Sequence, residues 1–236
     1  MVLKVLLTGG TGILGTQILS DQYNVSHIKI YHPLRKDLDI TSINSVFSYF
    51  ANNCFDMVLH CAAYTQTLTA EEEIKKCIET NTIGTWNLLK CSMEKKMRFV
   101  YISTDYVFDG RNGNYHPEDA INPIGRYSKS KAAAELMVRM YDNSLSIRTS
   151  FVPKEFPHNA AFIDQYTNRD YVDIISPLVL KAAISNKIGV AHVGTGKKSV
   201  FKMAQRRKKD VKAISINDVD FYLPSDVSLA KIENNI

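Results

Sequence analysis

The chain has 236 residues, 45% of them hydrophobic, and a formal net charge of +5, a length that buries one sizeable core or one core with a small lobe attached. Met1-Val2-Leu3-Lys4-Val5-Leu6-Leu7 is too short for a membrane span and runs into glycines, so it reads as a strand and not as a signal peptide; no other stretch is apolar for long enough to cross a bilayer. Cys54, Cys61, Cys77 and Cys91 show no Cys-x-x-Cys spacing, which suits reduced thiols in a cytoplasm and gives a metal centre no support.

In chain order, Val2 to Thr8 is an apolar strand, residues 9–15 a glycine-rich turn and Ile13 to Gln22 a helix. Strands recur at 28–31, 57–61, 99–103, 145–148 and 190–193, with helices near 42–51, 71–95, 129–141 and 175–186 between them. Strand and helix alternate, so the fold class is α/β, a doubly wound parallel sheet covered on both faces. Pro117, Pro123, Pro153 and Pro157 mark loops, and no repeat or low-complexity linker divides the chain. Lys197, Lys198, Lys202, Arg206, Arg207, Lys208, Lys209 and Lys212 crowd one stretch with only Asp210 opposing them. The stretch reads as the solvated face of a helix with Val200, Phe201 and Ala204 inward, or as a grip on a nucleotide diphosphate. No zinc spacing, helix-turn-helix or RNA motif accompanies it, so nucleic acid is not an expected partner.

Gly9, Gly12 and Gly15 follow the first strand directly. Glycine permits the tight turn, lets a pyrophosphate approach bare backbone and allows the helix to pack closely, while the helix N-terminus faces the phosphates; a purely structural turn is the alternative. Tyr127 and Lys131 are four apart, a helical spacing that projects both from one face, so an ammonium sits beside a phenol and eases movement of its proton. Thr104, at the end of the strand Phe99-Val100-Tyr101-Ile102, offers a hydroxyl to the same reacting oxygen, or satisfies local backbone. The second strand ends in Tyr31-His32-Pro33, without the acidic residue that would hold a ribose 2′-hydroxyl. Arg35 and Lys36 follow, either pairing with a 2′-phosphate or lying in a solvated loop, so NADPH is the expected cofactor, with NADH also admitted.

Gly9-x-x-Gly12-x-x-Gly15, Cys61-Ala62-Ala63-Tyr64-Thr65, Asn81, Ser103 to Gly110 and Tyr127-x-x-x-Lys131 together resemble the extended short-chain dehydrogenase/reductase family. Within it, Ser103-Thr104-Asp105-Tyr106-Val107-Phe108-Asp109-Gly110 is similar to the dTDP-4-dehydrorhamnose reductase branch. The resemblance covers the first 150 residues well and is looser at Arg148-Thr149-Ser150-Phe151-Val152 and Arg169-Asp170-Tyr171-Val172. It implies a Rossmann-type domain over 1–150 continued by about 170–196, and a small, abbreviated substrate lobe from 151–169 and 197–236. It implies cofactor contacts from Gly9, Thr11, Gly12, Ile13, Leu14, Gly15, Arg35, Asp39, Ile40, Ala62, Ala63, Tyr64, Asn81, Ser103, Tyr127 and Lys131, and substrate contacts from Asp105, Tyr106 and Phe151. Asp39 has a second reading, as N-cap of the helix from about residue 42.

The activity implied by the resemblance is reduction of the C4 ketone of a nucleotide-linked 4-keto-6-deoxy sugar, with hydride from the cofactor. Tyr127 donates the proton, Lys131 binds the nicotinamide ribose and lowers the phenol pKa, and Thr104 holds the carbonyl oxygen. A homodimer through the helices at 129–141 and about 75–95 is implied as well. The chain departs from the branch in its short segment after Phe151, in Phe151 itself where a tryptophan is usual, and in Pro153-Lys154. Tyr106 stands where related dehydratases carry glutamate and epimerase/reductases cysteine, which favours plain reduction. Cys61 is either a buried strand cysteine or a reactive thiol. A reading from another class is a non-catalytic dinucleotide-binding regulatory subunit, like the methionine adenosyltransferase partner of this branch.

Overall fold

The computed structural model describes residues 2–22 and 25–230. In chain order the elements are β1 (Leu3–Thr8), α1 (Ile13–Asp21), β2 (Ile28–Tyr31), α2 (Ile43–Asn52), β3 (Met57–His60), α3 (Ile74–Ile78), α4 (Gly84–Glu94), β4 (Arg98–Ser103), α5 (Arg126–Arg139) and β5 (Ser144–Arg148). They continue as β6 (Phe151–Val152), β7 (Ala160–Phe162), β8 (Tyr166–Thr167), β9 (Asp170–Tyr171), α6 (Val172–Ile184), β10 (Gly189–His192), β11 (Lys198–Ser199), α7 (Val200–Gln205) and β12 (Lys212–Ile214).

Six strands form one parallel sheet in the order β10-β5-β4-β3-β1-β2. Its strands are apolar on both faces because both are covered. Val5, Leu7, Leu59, Val100 and Ile147 face Leu14 and Ile18 of α1 and Val172, Ile175 and Val179 of α6. Leu6, Val58, Phe99 and Tyr101 face Val46 and Phe50 of α2, Leu88 and Leu89 of α4, and Ala134 and Val138 of α5. The chain reverses its direction of winding between β1 and β3, and the crevice at the carboxyl ends of these strands is where an open α/β sheet receives its ligand.

The helix expected over 71–95 is divided. A 3-10 turn ends at Glu71, α3 begins at Ile74, and a π turn over Glu79–Ile83 joins it to α4. The wide turn carries Asn81, whose side chain bonds outside its own helix, so tertiary hydrogen bonds override the local period. Helix α5 begins three residues before its expected start, with Gly125 as N-cap, which puts Tyr127 in the first turn.

Beyond β5, three ladders of two or three residue pairs, β6 with β9, β8 with β11 and β7 with β12, enclose a separate apolar cluster of Val152, Phe156, Ala161, Tyr171, Val200 and Met203. The basic stretch is not the free solvated helix face expected. Arg206 pairs with Asp170 at 2.7 Å, Arg207 with Asp173 at 2.8 Å and Lys197 with Asp226 at 2.5 Å, all carboxylates remote in sequence. Met1, Tyr23 and Asn24 of the expected first domain and residues 231–236 of the expected lobe lie outside the described residues. Among the described residues no helix is long and apolar enough to cross a membrane.

Candidate active site

A cleft of about 700 Å³ opens along the carboxyl ends of β1, β3 and β4. The glycine turn forms one wall. Gly9 adopts φ +73°, and a Cβ there would stand 2.6 Å from the Ala62 nitrogen. A Cβ on Gly15 would run into the Gly9 carbonyl oxygen and the Gly10 Cα. A Cβ on Gly12 would meet only the Gly9 oxygen, at 3.3 Å, and Gly12 is the N-cap of α1 without any side-chain cap. Gly9 and Gly15 are thus fixed by packing, whereas Gly12 turns bare backbone and uncapped first-turn amides toward the cleft, an arrangement that suits an anion. Thr11, Ile13, Leu14, Ala62 and Ala63 line the same part.

Arg35, Asp39 and Ile40 line the far end. Arg35 is exposed and reaches Asp39 at 3.5 Å. Burial pushes the Asp39 carboxyl up, but hydrogen bonds from Thr41, at 2.7 and 3.0 Å, and the Arg35 charge outweigh it and hold the group below its ordinary value. The N-cap of α2 is Ser42, whose hydroxyl accepts from the Ser45 N–H, so the capping role read for Asp39 is corrected.

Two expected cofactor residues, Tyr64 and Asn81, do not line the cleft. Asn81 is a bracket: it accepts from the Tyr64 N–H at 2.7 Å and donates to the Tyr64 carbonyl at 3.0 Å and to Ser130 Oγ at 2.9 Å, tying the loop after β3 to α5. The Tyr64 hydroxyl donates to Glu73 instead. Asp105 also lies behind the lining; buried, it accepts from Ser150 Oγ at 2.5 Å and Thr167 Oγ1 at 3.2 Å. Ser103 lines the cleft and donates to Glu135 at 2.6 Å, while Tyr106 and Phe151 line its outer part.

Thr104, Tyr127 and Lys131 line the cleft together. Thr104 Oγ1 donates to Asp105 at 3.3 Å and accepts from the Tyr106 N–H at 3.2 Å, so it also serves as the strand-end cap. Lys131 Nζ donates to the Ile102 carbonyl at 2.7 Å and stands 4.1 Å from the centre of the Tyr101 ring. Burial pushes its ammonium down to about 7, against the Cys61 thiol and Glu135. Burial also raises the Tyr127 phenol well above its ordinary value, helped by the Asp105 carboxylate and opposed by the Thr104 hydrogen bond and Arg169. The lysine thus donates to the end of β4 while the phenol, in the same cleft, is raised chiefly by burial. Burial pushes the Cys61 thiol up to about 12, which favours the strand-cysteine reading over the reactive thiol.

Arg169, absent from the residues read as a site, lines the cleft beside Tyr106. Its Nη2 donates to the Tyr106 hydroxyl at 3.4 Å, and its buried Nε has no hydrogen-bond partner. The sequence signals only an arginine in a segment leading back to the sheet; its approach to Tyr106 depends on how residues 151–169 fold. Among the described residues no group of three or more His, Cys, Asp or Glu could hold a metal.

This sheet order, with a glycine turn opening onto a tyrosine and lysine on the fifth helix, defines an extended short-chain dehydrogenase/reductase. The chain belongs to the RmlD substrate binding domain family, whose profile matches residues 3–177. It is 29% identical over 177 residues to a dTDP-4-dehydrorhamnose reductase of Aggregatibacter actinomycetemcomitans, covering 73% of this chain and 60% of that one. It is 30% identical over 156 residues to methionine adenosyltransferase 2 subunit beta of Bos taurus, covering 64% of this chain and 46% of that one. The chain thus spans about half to three fifths of the length of these curated relatives. Among solved structures, dTDP-4-dehydrorhamnose reductase of Bacillus anthracis in complex with NADP superposes with a TM-score of 0.88 at 28% identity, covering 97% of this chain and 90% of that one.

Proposed function

We propose that the chain is an NADPH-dependent reductase of the C4 ketone of a nucleotide-linked 4-keto-6-deoxy sugar. The observation that carries this reading is the meeting, in one cleft, of an open-faced glycine turn with Thr104, Tyr127 and Lys131. The residues fit a dinucleotide: Gly12 leaves the space a pyrophosphate needs, and Arg35 is exposed at the far end, within the chain's own reach of a 2′-phosphate. When bound, the dihydronicotinamide supplies the hydride. Tyr127 donates its proton to the carbonyl oxygen as that oxygen becomes an alcohol, and Thr104 hydrogen-bonds the same oxygen. Lys131 holds the ribose near the end of β4. Phe151 offers an apolar wall to the sugar, and Tyr106 supplies no carboxylate or thiolate for chemistry at neighbouring carbons.

Among the described residues, those up to 150 with about 170–196 make the dinucleotide part, and 151–169 with 197–230 make the substrate lobe. The protein works in the cytoplasm as a homodimer. The bovine relative, with its name as a subunit of another enzyme, supports the second reading of a regulatory partner that binds dinucleotide without turnover.

Following NADPH oxidation across dTDP, UDP, GDP and CDP 4-keto-6-deoxy sugars separates the two. Turnover is expected with one of them, and Tyr127→Phe is expected to lose roughly 10²-fold or more while still binding NADPH. Tight NADPH binding with no reduction across the panel moves the assignment to the regulatory subunit.

A further inference from the structure

Helix α5 starts without local help. Gly125, its N-cap, has no side chain, and no acidic residue lies in the first turn to meet the positive end of a helix of 14 residues. The carboxylate that meets it comes from 55 residues earlier in the chain. Glu71 Oε1 accepts from the Arg126 N–H at 2.8 Å, Glu71 Oε2 lies 3.4 Å from Arg126 Nε, and Arg126 Nη1 donates back to the Glu71 carbonyl. A Cβ on Gly125 would stand 3.2 Å from Glu71 Oε1, so the glycine leaves room for the incoming side chain.

Tyr127 follows Arg126 in that first turn. The next turn is held from other directions: Ser130 Oγ accepts from Asn81 at 2.9 Å, and Lys131 Nζ donates to the Ile102 carbonyl at 2.7 Å. Glu71 itself ends the 3-10 turn Thr69–Glu71 in the segment after β3, where Ala70 is fully buried. Thr65 and Thr67 of the same segment line the cleft. The segment is thus fastened to α5 at both ends, at Tyr64 through Asn81 and Ser130 and at Glu71 through Arg126.

We propose that Glu71 is a positioning residue for Tyr127: it closes the first turn of α5 from outside the helix and so fixes the ring in the cleft relative to Thr65 and Thr67. The catalytic consequence rests on the reductase reading above. Both side chains of the ion pair are about half exposed, so their charge attraction is screened, and the hydrogen bond to the backbone of Arg126 carries the effect. A frayed first turn lets the ring leave its place while Lys131, one turn further on, keeps its own. Misplacement of a reacting group by about 1 Å is enough to cost roughly 10²-fold in rate.

A fluorinated tyrosine at position 127 of the full chain reports the surroundings of that ring by fluorine NMR without turnover. With NADP bound, one narrow line is expected for the parent protein. Glu71→Ala is expected to shift and broaden it and to speed hydrogen exchange of the first-turn amides of α5 about tenfold, with the sheet unchanged. Glu71→Gln, which keeps an oxygen for the Arg126 N–H, is expected to stay close to the parent. Adding Gly125→Asp to Glu71→Ala gives the helix a cap of its own in the space the glutamate vacates. The backbone there is already extended, at φ −78° and ψ 165°, and the double variant is expected to restore both readouts. With the natural tyrosine, kcat is expected to fall about tenfold in Glu71→Ala and to recover in the double variant, with the NADPH dissociation constant within about twofold throughout. An unmoved line in a folded Glu71→Ala protein overturns the proposal. So does an unchanged kcat where the line has moved, and so does a loss that Gly125→Asp fails to restore. A line that moves and is restored in a protein that reduces no keto sugar keeps the proposal and removes the reductase reading.

Discussion

Three glycines of the first turn have separate reasons to be glycine. Gly9 and Gly15 are confined by Ala62 and by the turn itself, so a side chain at either disturbs folding. Gly12 faces the cleft, and a Cβ there presses only on the Gly9 carbonyl oxygen, at 3.3 Å, a contact that a shift of a few tenths of an ångström relieves. Gly12→Val is therefore expected to fold with little change in melting temperature and to weaken NADPH binding at least tenfold, as read by fluorescence titration. Unchanged affinity in the folded variant makes the turn structural only. This position was legible in the sequence because the turn follows a strand and opens a helix, both local patterns. Arg169 was not, because its place beside Tyr106 follows from hydrogen bonds among Thr167, Ser150 and Asp105, which lie 17 to 62 residues apart along the chain. Lys131 was legible for the same reason as Gly12, since helical spacing puts it in the cleft with Tyr127, but its bond to the Ile102 carbonyl was not, because that contact crosses from α5 to β4.

Among the secondary-structure elements, the six sheet strands and most helices could be read from the periods of their apolar residues. The division of residues 71–94 could not, since the π turn exists for the bonds of Asn81 to Tyr64 and Ser130. The sheet also holds two buried histidines at its strand ends. His60 of β3 lies between the hydroxyls of Thr8 and Thr85, at 2.7 and 2.9 Å. His192 of β10 donates from Nδ1 to the Ala230 carbonyl at 2.9 Å and accepts from Arg148 at 3.3 Å. Burial, aided by the Lys131 charge, pushes His60 down to about 3. Burial and Arg148 push His192 down to about 4, although the Ala230 bond opposes them. Both are neutral in the fold at pH values where the unfolded chain protonates its histidines, so the unfolded state binds more protons and stability falls as pH drops below about 6.5. Denaturant unfolding at pH 7 and pH 5 is expected to differ by about 2 kcal/mol per histidine, and His192→Gln is expected to remove about half of the difference. Equal stability at the two pH values contradicts this account.

For the whole molecule, the outer surfaces of α3, α4 and α5 carry Ile78, Trp86, Met93, Leu136 and Met140 exposed by 40 to 79%. Scattered exposed apolar side chains are ordinary, and five on three helices that pack together are where a partner would be sought first. A dimer is expected by light scattering at micromolar concentration, and Leu136→Glu is expected to yield monomers with NADPH binding retained. A wild-type monomer counts against the homodimer. The lobe beyond β5 bears differently on function. One peptide bond separates Asp170, seated in a nest of Arg206, Lys198 and Thr195, from Arg169, whose side chain enters the cleft. That short lever connects the α7 region to the cleft wall at Arg169 and Tyr106, so a change in the packing of the lobe is passed to the lining of the cleft. Warming that loosens the lobe is then expected to weaken NADPH binding below the temperature at which the sheet melts, so that affinity and far-ultraviolet circular dichroism are lost at different temperatures.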